Sequence, residues 1–145
     1  MRGLVQRVTR AEVRVGDEVV GRIGAGLVVL VGVTHDDTDA QARRLADKVW
    51  NLRIFDDDDG VMNRSVADTS GAVLVVSQFT LYGDTRKGRR PGYSEAARPD
   101  HAEPLVARVI DELTALGAAV ETGRFRAAME VELVNDGPVT LWIET

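Results

Sequence analysis

The chain has 145 residues and a net charge of −5 at pH 7, so it lacks the overall basic character of general DNA- or RNA-binding proteins. It contains no cysteine, which excludes disulfides, thiolate metal sites and a cysteine nucleophile. Its length and its 44% content of hydrophobic residues suffice for one domain with a core.

The N-terminal part of the chain predicts β-strands. Residues 12–15 and 18–23 flank Gly16-Asp17, a dipeptide that favours a two-residue hairpin turn. Residues 27–33 form a continuous apolar run, which predicts a fully buried strand. No apolar segment approaches the roughly 20 residues of a membrane helix, and the first residues lack the apolar region of a signal peptide. We therefore expect a soluble protein of the cytoplasm.

Two helices are predicted from capping residues and apolar periodicity. The first begins at Thr38, because the spacing of Thr38 and Gln41 is that of a capping box. The second begins at Asp100, with Glu103 in the matching position, and stops at Gly117. Each has one apolar stripe; the stripes contain Ala42, Leu45, Ala46, Val49 and Leu52 in the first helix, and Leu105, Val109, Leu113 and Leu116 in the second.

The remaining segments alternate between strands and loops. A strand is predicted over residues 72–82, and a change to Gly, Arg, Lys, Pro and Ser marks a long loop over residues 83–99. Residues 129–133 and 139–143 predict two further strands on either side of a turn at Gly137-Pro138. The predicted fold is one strand-rich α+β domain, residues 1–145, with two main helices.

No metal or cofactor site is predicted. The aspartates before Gly60 do not fit a calcium loop, because Phe55 and Val66 stand where that loop requires acidic ligands. His35 and His101 are the only imidazoles, and without cysteines or a paired spacing they do not form a zinc site. We expect neither a metal nor a cofactor.

A glycine-rich loop carries four cations within five residues: Arg86, Lys87, Arg89 and Arg90. Such a run is either a solvated loop or a clamp for phosphates, and its concentration in an acidic protein fits the second interpretation. Cations in this role position a nucleic-acid backbone and do not read its sequence. Both interpretations stay open.

Polar residues interrupt the end of the strand predicted over residues 72–82. With period two, Ser77 and Phe79 would share one face, and Gln78 and Thr80 the other. Hydroxyl and amide groups cost free energy if they are buried without a partner. The strand either emerges into solvent here or forms the floor of a pocket that offers a hydroxyl and backbone N–H groups to a carbonyl.

The segment Asn135-Asp136-Gly137-Pro138 has the composition of an ordinary hairpin turn. Asp-Gly usually closes a hairpin by itself, however, and Pro138 adds the option of a cis peptide bond. A cis Gly137-Pro138 unit would hold two carbonyl oxygens in a fixed arrangement that suits an ammonium group.

Two of these segments, Ser77-Gln78-Phe79-Thr80-Leu81 and Asn135-Asp136-Gly137-Pro138-Val139-Thr140, resemble the signature motifs of the D-aminoacyl-tRNA deacylases. The similarity runs in register from Met1 almost to Thr145. The chain departs from the family pattern at Arg126, where a small residue is common, and at Gly92-Tyr93. Four shorter segments share the similarity: Gln6-Arg7-Val8, Asn51-Leu52-Arg53-Ile54-Phe55, Asp84-Thr85-Arg86-Lys87-Gly88 and Thr122-Gly123-Arg124-Phe125.

The resemblance implies a homodimeric cytoplasmic enzyme with a two-layer, barrel-like, β-rich fold, which hydrolyses the ester between a D-amino acid and the terminal ribose of tRNA. It also implies removal of glycine from tRNA, including tRNA-Ala, because a site that excludes L side chains cannot exclude a hydrogen. The implied partners are the 3′ end of aminoacylated tRNA and a second copy of the chain, and neither DNA nor a membrane is among them.

The resemblance also assigns roles to individual residues. Gly137 and Pro138 would reach into the site of the partner subunit, hold the α-amino group of the substrate and leave no room for an L side chain. The ribose 2′-hydroxyl assists hydrolysis in the account favoured for the family, and Thr80 as a covalent nucleophile is the competing account. The implied catalytic residues are Ser77, Gln78, Phe79 and Thr80. The implied pocket-lining residues are Arg7, Met129 and Asn135, and the implied tRNA contacts are Arg86, Lys87, Arg89 and Arg90.

Two other interpretations remain. A non-catalytic RNA-binding module would use residues 86–90 and would not need Gly137-Pro138. A hydrolase of another small acyl ester or amide would turn over its substrate without tRNA and would be indifferent to the basic loop.

Overall fold

The computed structural model describes residues 1–145 and contains eight strands and three α-helices. The strands are β1 (Arg2–Val15), β2 (Glu18–Ile23), β3 (Gly26–Gly32), β4 (Phe55–Asp56), β5 (Met62–Arg64), β6 (Ala72–Ser77), β7 (Ala119–Thr122) and β8 (Glu130–Glu144). The helices are α1 (Asp39–Asn51), α2 (Val66–Thr69) and α3 (Pro99–Ala115), with a 3₁₀ helix at Phe79–Tyr82. None of the helices is long and apolar enough to span a lipid bilayer.

The long strand β1 organises the main sheet, whose order is β2-β1-β3-β6-β7 with β8 on the other side of β1. β1 pairs antiparallel with β3 through its first half, with β2 through its second half, and with β8 along nearly its whole length. β3, β6 and β7 run parallel, so the carboxyl ends of β3 and β6 lie side by side where Val31 pairs with Ser77.

The sheet curls until β2 approaches β7. A Cβ added to Gly21 of β2 would lie 2.4 Å from the carbonyl oxygen of Thr122 at the end of β7, so this approach requires glycine. Arg124 bridges the same seam with a 3.1 Å hydrogen bond to Glu18. The result is the nearly closed, barrel-like sheet that the family resemblance implies, which confirms the predicted α+β fold.

A core lies on each face of the sheet. On the helix-covered face, Leu27 and Val29 of β3 pack with Leu45 of α1 and Leu113 of α3. Inside the curl, Val28 belongs to a smaller cluster formed by strand residues. Because β3 is buried on both faces, its sequence is a continuous apolar run, as parallel strands require. The buried strand predicted over residues 27–33 is therefore confirmed.

The two predicted helices are present, and the structure corrects one start. At α1, the predicted capping box is formed: Thr38 Oγ1 accepts from the Ala40 N–H, and Gln41 Oε1 accepts from the Thr38 N–H at 2.9 Å. α3 begins at Pro99 and not after a cap at Asp100, because proline at the first helical position already has the required φ. Its N-cap residue, Arg98, makes no side-chain capping bond.

Two strand predictions were wrong, one in where a strand ends and the other in the presence of a hairpin. The strand predicted over residues 72–82 stops at Ser77, since the chain then tightens into the 3₁₀ helix. The predicted hairpin at Gly137-Pro138 does not exist: the chain continues in the same direction, and both halves of β8 pair with β1.

Candidate active site

After β6 the backbone hydrogen bonds change from those of the sheet to those of a helical turn within three residues. The Gln78 N–H still donates to Val31 O of β3 at 2.8 Å. The next bonds are local, from the Leu81 N–H to Gln78 O at 3.2 Å and from the Gly83 N–H to Thr80 O at 2.9 Å. The first N–H groups of a helical turn have no acceptor inside it, so those of Phe79 and Thr80 are donors for another group.

A cavity of about 580 Å³ lies against this turn. Its floor is apolar and includes Val31 and Val76, which stand at the carboxyl ends of β3 and β6. Four of the predicted site residues line it: Ser77, Gln78, Phe79 and Met129. Because the strand has already ended, Ser77, Gln78 and Phe79 all reach the same cavity, and the alternation expected for a strand does not separate them.

Thr80 is exposed and does not line the cavity. Its hydroxyl oxygen accepts a short hydrogen bond from the side-chain amide of Gln78. No histidine or carboxylate is hydrogen-bonded to this hydroxyl, and an amide cannot take its proton. The arrangement therefore holds Thr80 in place without activating it as a nucleophile.

The aromatic wall of the cavity joins two distant segments. The rings of Phe79 and Tyr93 meet edge to face, with centroids 5.1 Å apart and planes at 68°. Phe79 is 56% exposed, so this contact, rather than burial, fixes its ring beside the cavity. The sequence places Tyr93 in the long loop predicted over residues 83–99, and its position in the cavity was not predicted.

The basic loop directly precedes Tyr93 in the chain. Asp84 and Gly92 close it by two backbone hydrogen bonds, 2.7 and 2.9 Å long. Arg86 binds the Asp84 carboxylate through Nε and Nη2, and this guanidinium lowers the pKa of Asp84 to about 2. The other predicted tRNA contacts are exposed and form no ion pair; they are Lys87, Arg89 and Arg90.

The second predicted segment forms a bulge in β8. Gln6 pairs with Thr140 and Val8 pairs with Asn135, so one residue of β1, Arg7, stands opposite residues 136–139. The Asn135 side-chain amide closes the bulge by donating to Arg7 O at 2.9 Å and to Val139 O at 3.0 Å. The peptide bond between Gly137 and Pro138 is cis, and both residues are exposed.

Arg7 lies beneath the bulge and is only 7% exposed. Its guanidinium donates to Ile54 O at 2.5 Å and to Asp136 O at 3.3 Å, and it lies 3.5 Å from the Asp56 carboxylate. A Cβ added to Gly137 would lie 2.6 Å from Arg7 Nη2. Arg7 therefore supports the bulge and fills the space beside Gly137. It does not line the cavity of its own chain, and its implied pocket-lining role stays a prediction.

The cavity and the bulge are separate places within one chain. Val131 of β8 lines the cavity and pairs with Val13, whereas Asn135 at the bulge pairs with Val8. Val13 and Val8 are five residues apart along β1, and five residues of extended strand span about 17 Å. The structure thus collects the predicted residues into two groups, with Ser77, Gln78, Phe79 and Met129 in one, and Arg7, Asn135, Gly137 and Pro138 in the other.

A turn before β8 contributes cavity-lining residues that the sequence did not assign to the site. The Ala127 N–H donates to Arg124 O at 3.2 Å, which closes the turn, and Phe125, Arg126 and Ala127 all line the cavity. Arg126 has φ +62°, a conformation that costs a non-glycine residue roughly 1–2 kcal/mol. Its departure from the family pattern was visible in the sequence, and the structure places it on the cavity wall.

The curled sheet, the apolar cavity at the ends of two parallel strands and the 3₁₀ turn beside it define an α+β protein with a cavity large enough for a small ligand. A family model described as D-Tyr-tRNA(Tyr) deacylase matches residues 4–144. The chain belongs to this family of hydrolases.

Similar proteins cover the chain from end to end. The D-aminoacyl-tRNA deacylase of Symbiobacterium thermophilum is 61% identical over 100% of this chain and 96% of its own length. That of Thermus aquaticus is 58% identical over 100% and 95%, respectively. The solved structure of a c-Myc DNA Unwinding Element Binding Protein is 38% identical with a TM-score of 0.95, covering 100% and 99% of the two chains. A probable eukaryotic D-amino acid tRNA deacylase, 19% identical with a TM-score of 0.83 over 98% and 97%, shares the fold.

Proposed function

We propose that this protein hydrolyses the ester bond of D-aminoacyl-tRNA and of glycyl-tRNA, including glycine mischarged on tRNA-Ala, and leaves L-aminoacyl-tRNA intact. The observation that carries the proposal is the presence of both family segments in one chain, one beside a cavity and the other on an exposed bulge. As a protein that acts on aminoacyl-tRNA, it would work in the cytoplasm.

The cavity suits an aminoacyl ester. The free N–H groups of Phe79 and Thr80 can donate to the ester carbonyl, where negative charge develops during attack. Ser77 and Gln78 add polar groups at the cavity wall. An aminoacyl ester is already activated, so orientation and polarisation of the carbonyl supply much of the required rate enhancement.

The surroundings of Thr80 favour assistance by the substrate. Thr80 has only Gln78 as a side-chain partner, and a hydroxyl nucleophile requires a base that can take its proton. The ribose 2′-hydroxyl lies next to the ester within the substrate itself, so the protein does not have to supply or position it. We therefore favour the 2′-hydroxyl account over a covalent Thr80 intermediate.

The position of Gly137 and Pro138 supports action across a dimer. They are exposed and lie far along β8 from the cavity of their own chain. The same strand exposes large apolar residues on both sides of the bulge: Val131, Val134, Leu141 and Trp142. A second copy that covers these side chains would bring a Gly137-Pro138 bulge to a cavity, where exclusion of an L side chain gives chiral selection.

The basic loop supports an RNA substrate in an otherwise acidic protein. Lys87, Arg89 and Arg90 are exposed without carboxylate partners, and the loop joins the cavity through Tyr93. These cations would hold the phosphates of the 3′ end while the acyl group enters the cavity.

One assay tests the function. The protein is incubated with D-Tyr-tRNA, L-Tyr-tRNA and Gly-tRNA-Ala, and loss of each ester is followed. We expect rapid loss from the D and glycyl substrates and none above background from the L substrate. Equal rates on both tyrosyl enantiomers, or none on either, would contradict the proposal. Turnover of D-tyrosyl esters that lack RNA, at the rate seen with tRNA, would favour a hydrolase of small esters instead.

A further inference from the structure

Arg126 is the only charged residue among the 16 that line the cavity. It is exposed, and no carboxylate lies within ion-pair distance of it. Arg124, two residues earlier, is by contrast paired with Glu18. The cavity wall therefore presents one cation whose charge is not balanced by the protein.

The backbone does not account for an arginine at this position. Arg126 is the third residue of the turn that the Ala127 N–H closes on Arg124 O, and its φ is +62°. A positive φ at the third residue of a turn is the usual place for glycine. An arginine here destabilises the turn, and such strain in a residue of a cavity wall points to a role for its side chain in binding.

The place of Arg126 limits what that ligand can be. The cavity floor is apolar, and an anion on it would lose its hydration without compensation. The anion must therefore sit at the mouth, outside the part that receives the acyl group. Tyr93 also lines the cavity, and it directly follows Gly92, where the loop that carries Lys87, Arg89 and Arg90 closes on Asp84.

We propose that Arg126 binds the phosphate that joins the terminal nucleotide of the aminoacylated RNA to the nucleotide before it. This inference rests on the proposed function. A guanidinium holds a phosphate with paired hydrogen bonds, which would fix the terminal ribose and its ester at the mouth of the cavity. Arg126 is in this account a binding and positioning residue, and the basic loop holds phosphates further along the strand.

The test uses binding of ligands that cannot be hydrolysed as esters. D-Tyrosine is joined by a 3′-amide either to adenosine alone or to a short RNA with the terminal sequence of tRNA. Dissociation constants are measured for wild type, Arg126→Asn and Arg126→Lys at several salt concentrations. Asparagine tolerates a positive φ and removes the charge, and lysine keeps the charge. The matched control is Arg44→Asn on α1, an exposed arginine without an ion pair and outside the cavity.

We expect Arg126→Asn to reduce the preference for the RNA ligand over the adenosine ligand about tenfold and to lower the slope of log affinity against log salt by about 0.7. Arg126→Lys should restore the slope and part of the preference, and Arg44→Asn should match wild type. An equal loss on both ligands, or a wild-type preference and slope in Arg126→Asn, would overturn the assignment. The amide of D-aspartate with adenosine serves as a further ligand. If Arg126→Asn weakens binding of this ligand but not of the D-tyrosyl adenosine ligand, Arg126 binds an acidic side chain and the assignment is overturned. Because nothing is cleaved, this result is independent of whether D-Tyr-tRNA is hydrolysed.

Discussion

The guanidinium of Arg7 occupies the space that a side chain at Gly137 would need: an added Cβ would lie 2.6 Å from Arg7 Nη2. Arg7 is in turn held by Ile54 O and Asp136 O, so it cannot move aside without losing both bonds. The shape of the bulge is thus set by a buried cation from the neighbouring strand together with the absence of a side chain at Gly137.

Gly137→Ala should damage both activity and stability. At φ +112°, alanine is strained, and its Cβ also clashes with Arg7, so we expect a loss of about 1–3 kcal/mol of unfolding free energy. Displacement of the bulge should lower D-specific deacylation about 100-fold. Gly16→Ala is the matched control, because its φ is +58° and no atom lies within 4 Å of an added Cβ. Wild-type D-Tyr-tRNA hydrolysis in Gly137→Ala would refute the role of the bulge.

Arg7→Lys should be costly although it keeps the charge. Lysine cannot donate to Ile54 O and Asp136 O in the fork geometry of Arg7, and an unsatisfied buried carbonyl destabilises the fold; we expect a loss of about 2–4 kcal/mol in urea unfolding. Arg10→Lys on the same strand is the control, since Arg10 is exposed and has the exposed partner Glu132. That variant should stay within about 0.5 kcal/mol of wild type. Equal effects of the two variants would show that the buried fork is unimportant.

Mixed dimers test whether the bulge acts on its own chain or on its partner. Gly137→Ala and Phe79→Ala chains are co-expressed with different tags and purified through both, so that each dimer contains one of each. If each bulge serves the other chain's cavity, both defects fall in one site and the second site is intact. The mixed dimer should then have about half of wild-type activity, far above that of either variant alone. An inactive mixed dimer would place cavity and bulge action within one chain.

The Phe79–Tyr93 contact should be measurable as a coupling energy. Unfolding free energies of Phe79→Leu, Tyr93→Leu and the double variant form a cycle that isolates the edge-to-face pair. We expect a coupling of about 0.5–1.5 kcal/mol. A coupling of zero would mean that the basic loop is not attached to the cavity through these rings.

The Asp84–Arg86 pair predicts a pH dependence of the basic loop. The pKa of Asp84 is lowered to about 2, so the folded state binds fewer protons than the unfolded state between about pH 4 and pH 2. The stabilisation by this pair is therefore complete above about pH 4 and is lost as the pH falls toward 2. An NMR titration of the Asp84 carboxyl carbon should give a midpoint near 2 in wild type. In Arg86→Gln the midpoint should rise toward about 3.9, and an unchanged midpoint would exclude the guanidinium as the cause.

Local chemistry allowed much of the fold to be predicted. The start of α1 depends on Thr38 and Gln41, which are three residues apart, and the burial of β3 is visible in its own apolar run. The end of β6 was mispredicted because polar Gln78 and Thr80 alternate with apolar Phe79 and Leu81 as in a half-buried strand. Only the local hydrogen bonds to Gln78 O and Thr80 O show that the strand has ended.

The site was harder to predict than its motifs. The bulge at Gly137 exists because both halves of β8 pair with β1, and long-range pairing has no signature in a six-residue segment. The cavity is built from the end of β6, from Tyr93 and from the turn at Arg126, which are far apart in the chain. The apolar face of β8 also escaped prediction, since its exposed residues do not follow one period: they are Val131, Val134, Leu141 and Trp142.

The position of β8 at the margin of the main sheet has a consequence for solubility. This strand of 15 residues pairs only with β1, so its other backbone edge would be a template for adding foreign strands. Pro138 has no N–H to offer, and the bulge interrupts the straight run of the edge. The segment proposed to select the hand of the substrate therefore also guards the protein against edge-to-edge aggregation.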